Sequence, residues 1–450
     1  MSIKYLIEHV LYPVMEHKKG NHVRAYLAEM KTTQYLKEEE LQKLRRERLC
    51  RLLLTCIHDV PAYQGLQITE EEIRKDPFQV LQQIPILSKR NFQQHPEQYR
   101  NQQYDPKQLI ANSTGGSTGE PLKFYMDRYD VEHFEAARWR GLSWYGITPG
   151  SRSVMLWGNP IELSQNEQKS ARRKERFLKN RTILSAYALT PEKVASYIPF
   201  LNRYQPEYIY GYATALYTFA QLLQPIRDQL HLKKLKVVVS TSETLYEHQR
   251  TAIQAVFGCP VANEYGARDA GILAYSCPHG HLHMTAENVI MEVVDPVTHQ
   301  PVAPGESGVV VTTDLNNLAM PRLRYLLGDT ATLSQEKACA CGVTLPMIAS
   351  LDGREDAIFK LPDGTLMHGH FVYHLAGQYD SVAQFQLIQT DLAHAELKLV
   401  MKKPCEEDAN RFLSDLQRFM PGVCITCTQV DRIEPSKSGK IRYAIRRFPL

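Results

Sequence analysis

The sequence predicts an α/β protein: a large N-terminal domain of helices packed on sheets, then a small α+β domain at the C-terminus. Two patterns predict it. Between about residues 105 and 330, short apolar strand-like runs alternate with helical stretches. After Gly353 the rhythm changes: 384–390, 395–402 and 423–430 read as strands and 406–419 as an amphipathic helix. That is a compact unit of about 95 residues. The boundary is expected near 352–356, dividing the chain into 1–352 and 353–450. A chain of 450 residues is long for a single domain.

The elements follow in order. Leu6, Ile7, Val10, Leu11 and Val14 mark one face of a short N-terminal helix, expected to dock on the protein's own core rather than on a membrane surface. Residues 34–58 predict a helix with Leu41, Leu44, Leu49, Leu52, Leu53 and Cys56 on an apolar stripe, closed by Pro61. The interleaved Lys43, Arg45, Arg46, Arg48 and Arg51 read as a solvated face. Strands are expected at 153–156, 208–210, 237–239, 289–294 and 308–313. Helices are expected after Asp130, from Pro191 and from Ala213.

Composition narrows the class. The 43% hydrophobic and 23% charged content is that of a soluble globular protein. A net charge of +4 is small for this length and gives no reason to expect a nucleic-acid partner. No apolar run reaches the length of a membrane span. Glu8 and His9 break the N-terminal apolar stretch, which therefore does not read as a signal peptide. Nine unevenly spaced cysteines argue against a disulfide framework. A reducing cytoplasm is the expected compartment.

The most informative segment is Asn112-Ser113-Thr114-Gly115-Gly116-Ser117-Thr118-Gly119-Glu120-Pro121. Glycines let the backbone approach a ligand closely, and the N–H groups and hydroxyls of such a loop can cradle phosphates. It is not a Walker loop, because no Gly-Lys-Ser/Thr follows. Four more motifs come in order. They are Asn263-Glu264-Tyr265-Gly266-Ala267-Arg268-Asp269, then Arg324-Tyr325-Leu326-Leu327-Gly328-Asp329. Gly353-Arg354-Glu355-Asp356 and Ser436-Lys437-Ser438-Gly439-Lys440-Ile441-Arg442 complete the series.

This order resembles the adenylate-forming superfamily of acyl-CoA synthetases and peptide-synthetase adenylation domains, in its phenylacetate-CoA ligase and CapK-type branch. The resemblance runs from Val60-Pro61-Ala62-Tyr63 to Arg442. It implies a large adenylate-forming domain that binds ATP and a carboxylic acid, and a small mobile C-terminal domain. Residues Ser113, Thr114, Gly115, Gly116, Ser117, Thr118 and Gly119 would embrace the β- and γ-phosphates. Glu264, Tyr265 and Gly266 would lie along the nucleotide, with Asp269 near Mg²⁺. Asp329 would accept from the ribose hydroxyls, Arg354 would contact the nucleotide, Asp356 would be the hinge, and Lys440 the mobile catalytic lysine. Tyr212 would line the acid's pocket, with core packing as its alternative, and Ser242 would lie near the adenylate as a substrate residue. The chain departs from the pattern at Glu120, where many relatives have lysine, at Asp269, shorter than the usual glutamate, and at Arg268.

The implied activity is conversion of a carboxylic acid to acyl-AMP and transfer to CoA. One alternative is transfer to an amine or hydroxyl of a sugar, amino acid or carrier. A further alternative is a non-catalytic scaffold with the same fold. Mg²⁺ and Lys440 would shield the two anions that meet in the first step.

Cys277, His283, Cys339 and Cys341 form a separate constellation. Three thiols and an imidazole suit a closed, structural Zn²⁺ site; His279 and His281 compete for the fourth place, and buried reduced cysteines are the alternative. The phenylacetate ligase branch shows a similar pattern. Cys424 and Cys427 lie in a predicted strand on opposite faces and carry no expected role.

Overall fold

The structure is a computed structural model and describes residues 3–114, 122–157, 175–186, 189–354, 357–376, 378–379, 381–403, 405–434 and 442–448. A hairpin comes first, β1 (Ile110–Ser113) paired antiparallel with β2 (Lys123–Met126). The parallel half of a large sheet follows: β3 (Ser153–Trp157), β4 (Arg181–Ser185), β5 (Tyr208–Tyr212), β6 (Val237–Thr241) and β7 (Val261–Ala267). Its antiparallel half is β8 (Gly271–Ser276), β9 (Leu282–Met284), β10 (Val289–Val294), β11 (Ser307–Asp314), β12 (Tyr325–Leu333) and β13 (Met347–Arg354). These eleven strands form one sheet in the order β10-β11-β12-β13-β9-β8-β7-β6-β5-β3-β4. Strands 237–241 and 289–294 are apolar throughout or nearly so and are buried on both faces.

Helices cover the sheet. Arg128–Ser143 begins at Asp127, whose carboxylate accepts from the Asp130 N–H at 2.8 Å. Its Gly141 lies on the Tyr275 ring of β8, where there is no room for a side chain. One residue earlier, Arg140 is fully buried and paired with the equally buried Glu287; it also donates to Thr285 Oγ1 at 3.3 Å. Pro191–Tyr204, Ala213–Leu223 and Glu247–Phe257 pack an aliphatic core against the parallel strands.

After Arg354 the strands join other sheets. The strands β14 (Ile358–Lys360) and β15 (Leu366–His368) pair with each other. A four-stranded sheet is built from β16 (Val382–Gln389), β17 (His394–Met401), β18 (Cys424–Gln429) and β19 (Ala444–Arg446), in the order β18-β17-β16-β19. Helix Glu406–Phe419 closes it, with Phe412 and Leu416 buried against Phe385, Leu397 and Leu399.

Two expectations are corrected. The N-terminal helical segment docks mainly through Ile7, which meets Gly150; Leu6, Val10 and Val14 are exposed. Its flanking residues are held by polar contacts instead, Lys4 to Glu207 at 2.8 Å and Glu8 to Thr148 at 3.0 Å. The second concerns helix Glu38–Asp59, which starts four residues later than expected because Val23–Thr33 is a separate helix. Of its basic residues, Lys43 and Arg51 are exposed as a solvated face would be, but Arg46 and Arg48 are engaged. Arg48 donates to the Glu287 carbonyl and to Asn288 Oδ1, both at 2.9 Å, and pairs with Glu29. Arg46 donates to the carbonyls of Arg74 and Lys75 at the end of helix Glu70–Lys75. A guanidinium on a long stem reaches backbone acceptors that periodicity in the sequence does not reveal.

The tight seat of Gly141 gives a prediction. A Cβ there would lie 2.2 Å from Tyr275 Cγ. Gly141→Ala is expected to destabilise the protein by about 1–3 kcal/mol through overpacking, read as a lowered midpoint in thermal or urea unfolding. An unchanged midpoint would show that helix and sheet separate freely.

Candidate active site

The glycine-rich segment is the loop of the β1–β2 hairpin. Residues 115–121, which include Gly115, Gly116, Ser117, Thr118 and Gly119, lie outside the described residues, as do Asp356 and Lys440. The loop's first residues are placed. Thr114 closes the hairpin, its N–H donating to the Leu122 carbonyl and its hydroxyl accepting from the Leu122 N–H, both at 3.0 Å. Arg268 Nη1 donates to the Ser113 carbonyl at 3.1 Å. The departure at Arg268 thus ties the base of this loop to the turn between β7 and β8.

Beside it, three expected residues converge. The Tyr265 hydroxyl donates to Asp329 Oδ2 at 3.0 Å, and Arg354 Nη1 donates to Asp329 Oδ1 at 2.7 Å. They come from β7, β12 and β13, so the sheet sets their spacing. Gly328 has φ +78°, and a Cβ there would sit 2.9 Å from Arg354 Nη2; glycine leaves Arg354 its place. Burial, and then Asp329, pushes the Tyr265 phenol well above its ordinary range, so it remains a donor. Gly266 lies against the Gly271 carbonyl with no room for a side chain.

Asp269 is buried in the same turn, its Oδ2 accepting from the Tyr325 hydroxyl at 3.0 Å. Lys89 was not anticipated. It stands at the start of helix Lys89–Gln94, partly buried, in the field of Asp269 and Arg354. Burial lowers its pKa, Asp269 opposes that, and Arg354 adds to it. A lone lysine after Ser88, in no motif, gives no signal in the sequence.

Glu264 does not join this group. Its carboxylate takes the Tyr210 hydroxyl at 2.6 Å, Thr241 Oγ1 at 3.3 Å and Arg138 Nε at 3.3 Å. Neighbouring residues of a strand leave opposite faces, so Glu264 turns away from Tyr265. In this structure Glu264, expected along the nucleotide, is engaged in an ion pair with Arg138. Tyr212, at the end of β5, stacks on Trp157 with ring centroids 4.0 Å apart. Ser242 is exposed just after β6, in a left-handed conformation with φ +65°. These residues occupy the C-terminal ends of parallel strands, where open α/β sheets bind ligands.

A cleft of about 1010 Å³ opens between the large sheet and the C-terminal residues; His248, Arg250, His281, Tyr379 and Lys402 are among its lining residues. It skirts the Tyr265–Asp329–Arg354 group, reaching Asn263 on β7 and Leu351 on β13.

The cysteine and histidine residues come together. One ligand atom from each of Cys277, His283, Cys339 and Cys341 lies within 4.8 Å of all the others. Cys277 and Cys339 Sγ are 3.7 Å apart, and His283 Nε2 is 3.2 Å from Cys341 Sγ. Zn–S bonds of about 2.3 Å in a tetrahedron would put sulfurs about 3.8 Å apart. The donor set and its spacing thus fit a closed four-ligand site. His283 Nδ1 lies 3.2 Å from the Leu345 carbonyl, which turns Nε2 toward the thiols. Burial holds its pKa down to about 4, keeping the ring neutral. His281 approaches Cys339 at 3.1 Å but is half-exposed and shared with Glu336, and His279 is exposed. Burial pushes the Cys341 thiol up to about 12; a bound cation would reverse that.

Comparison with known proteins now bears on this geometry. Residues 359–447 match the family described as the CapK C-terminal domain. Protein CapK of Staphylococcus aureus is 24% identical over 374 residues, covering 82% of this chain and 80% of that protein. The phenylacetate-coenzyme A ligase of Thermus thermophilus is 26% identical over 410 residues, covering 87% of each. These matches support the resemblance to the adenylate-forming superfamily, in the branch of CapK and phenylacetate-CoA ligase. The fold agrees: 2-hydroxyisobutyryl-CoA ligase, solved in its postadenylation state with an acyl-AMP, superposes with a TM-score of 0.71 at 16% identity, covering 92% of this chain and 91% of that one. The same ligase in its thioesterification state with CoA gives 0.60.

The metal centre gives the second prediction. We expect purified protein to carry about one Zn²⁺ per chain by elemental analysis. His283→Ala should lose it and His281→Ala should retain it. Cys339→Ser should lower thermal stability more than it changes turnover. Metal-free wild type, with stability unaltered in Cys339→Ser, would rule the centre out.

Proposed function

We propose that this protein uses ATP to convert a carboxylic acid into an acyl-AMP and passes the acyl group to CoA. The observation that carries the reading is the convergence of Tyr265, Asp329 and Arg354, with Asp269 and Lys89 beside them, next to the hairpin of the glycine-rich loop. Its branch relative is a phenylacetate-coenzyme A ligase.

Each residue has a physical task in this reading. The loop from Ser113 to Gly119 cradles the phosphates. Asp329 accepts from the ribose hydroxyls, and Arg354 holds that carboxylate in place. The ring of Tyr265 offers a flat wall to the base. Attack of a carboxylate on the α-phosphate brings two anions together; Lys89 and Lys440 oppose that repulsion. Mg²⁺ supplies further shielding when it accompanies ATP, and Asp269 is the carboxylate placed to hold it. The C-terminal domain turns about Asp356 between the two steps and carries Lys440 in and out. The cleft with His248, Arg250 and Lys402 suits the anionic end of CoA. The zinc centre is structural, pinning β9 to the segment after β12. A second acceptor, the amine or hydroxyl of a sugar or carrier in capsule polysaccharide synthesis, is favoured by the CapK match over 359–447.

Two experiments test the reading. Asp329→Ala is expected to weaken ATP binding by about 1.5–3 kcal/mol, the usual loss of a hydrogen bond to a charged group; unchanged affinity by titration calorimetry would reject the ribose assignment. Lys440→Ala should slow acyl-AMP formation on the order of 10²–10³-fold, measured as pyrophosphate release. It should spare ATP binding and acyl transfer from supplied acyl-AMP. Equal pyrophosphate release by mutant and wild type would refute the catalytic role.

A further inference from the structure

An ion pair in the acid's half of the site has no part in the steps above. Arg138, on helix Arg128–Ser143, reaches Glu264 through Nε at 3.3 Å and Nη2 at 3.5 Å. Glu264 Oε1 is already taken by the hydroxyls of Tyr210 and Thr241, and the side chain is 2% exposed. Its Oε2 accepts from Arg138 Nε. Arg138 is not fully engaged, for its side chain keeps 28% exposure. Of its five N–H groups, those on Nη1 face only Glu135 among the described residues, at 3.6 Å, beyond hydrogen-bond length. The guanidinium lies over the rings of Phe134 and Tyr210, at 5.3 and 6.0 Å. Tyr210 in turn stacks toward Trp157 at 6.1 Å, and Trp157 lies on Tyr212 at 4.0 Å. A flat aromatic wall thus ends on a cation with donors to spare, whose partner Glu264 is one residue along β7 from Tyr265.

We propose that Arg138 determines which acid is accepted, by donating to a hydroxyl or carbonyl oxygen on a planar acid stacked along Trp157 and Tyr212. The inference rests on the adenylation reading above. The charge pattern weighs against a second carboxylate on the acid, because Arg138, Glu264 and Glu135 together sum to −1. A plain phenyl or alkyl chain would strip water from the free N–H groups and return nothing. Sites built to bond a substrate oxygen reject analogues that lack it far more strongly than apolar pockets reject an extra group.

The test uses non-reactive acyl-sulfamoyl-adenosines on the full-length protein, followed by calorimetry. The acyl groups are 3-hydroxybenzoyl, 4-hydroxybenzoyl, benzoyl, phenylacetyl and hexanoyl, with ATP as control. At least one hydroxybenzoyl compound should bind about tenfold or more tightly than benzoyl, phenylacetyl and hexanoyl. Arg138→Met alone strands the buried Glu264 and risks unfolding, so the paired variant Arg138→Gln/Glu264→Gln, which keeps polar contacts, is used. There the preference should shrink to within about threefold while ATP affinity is unchanged. Equal or tighter binding of the benzoyl, phenylacetyl or hexanoyl compound by wild type overturns the inference, as does a preference that survives in the paired variant. ATP binding with no acyl compound bound overturns it too and leaves the nucleotide assignment standing. Failure of wild type to bind even ATP removes the adenylation reading first, and this inference with it.

Discussion

Strand β7 has to satisfy the two halves of one sheet at once. It runs parallel to β6 on one side and antiparallel to β8 on the other. The parallel half needs buried, crossover-connected strands, and the antiparallel half is built from hairpins. The last residues of β7 therefore stand where both halves meet, and there the chain places Glu264, Tyr265 and Gly266. Glu264 faces the parallel strands' ends and locks onto Tyr210, Thr241 and Arg138. Tyr265 faces the antiparallel strands and meets Asp329. One strand thus sends the Tyr210–Arg138 cluster to one side and the Asp329–Arg354 cluster to the other. Gly266, pressed on the Gly271 carbonyl, keeps the turn to β8 tight enough for Arg268 to reach the hairpin loop.

Around that strand, polar contacts do much of the anchoring that apolar packing does elsewhere. Arg140 and Glu287 are both fully buried. Breaking such a pair by removing one partner typically costs about 3–5 kcal/mol, because it leaves an uncompensated charge. Arg48 converges on the same segment through the Glu287 carbonyl and Asn288. Two helices distant in sequence are fixed to the one short stretch between β9 and β10. The cysteine cluster fixes the other end of β9.

Much of this was legible in the sequence. Alternation and apolar runs located strands such as 237–241 and 289–294, and the amphipathic period gave helix Glu406–Phe419 to the residue. The gathering of Cys277, His283, Cys339 and Cys341 was legible because thiols and imidazole have few other reasons to come together. The rest was hidden for a physical reason. Lys89 and Arg138 act through partners far away in the chain, and a single basic residue on a helix looks the same whether it faces solvent or a buried carboxylate. The separation of Glu264 from Tyr265 was hidden because a motif gives order along the chain but not the face of the strand. The apolar stripe of the N-terminal helix predicted docking, yet only Ile7 found a seat.

The position of β13 has a consequence for synthesis on the ribosome. It lies between β9 and β12, although it is the last strand of the large sheet to be made. Until residue 354 has emerged, β9 lacks its neighbour on one side, and β10, β11 and β12 form a separate three-stranded sheet. The nascent chain must hold two open edges apart while the segment carrying Cys339 and Cys341 is still being translated. Such edges invite pairing with other chains. The late arrival of one strand leaves these edges unpaired until residue 354 has emerged, and unpaired edges are the usual route to association with other chains.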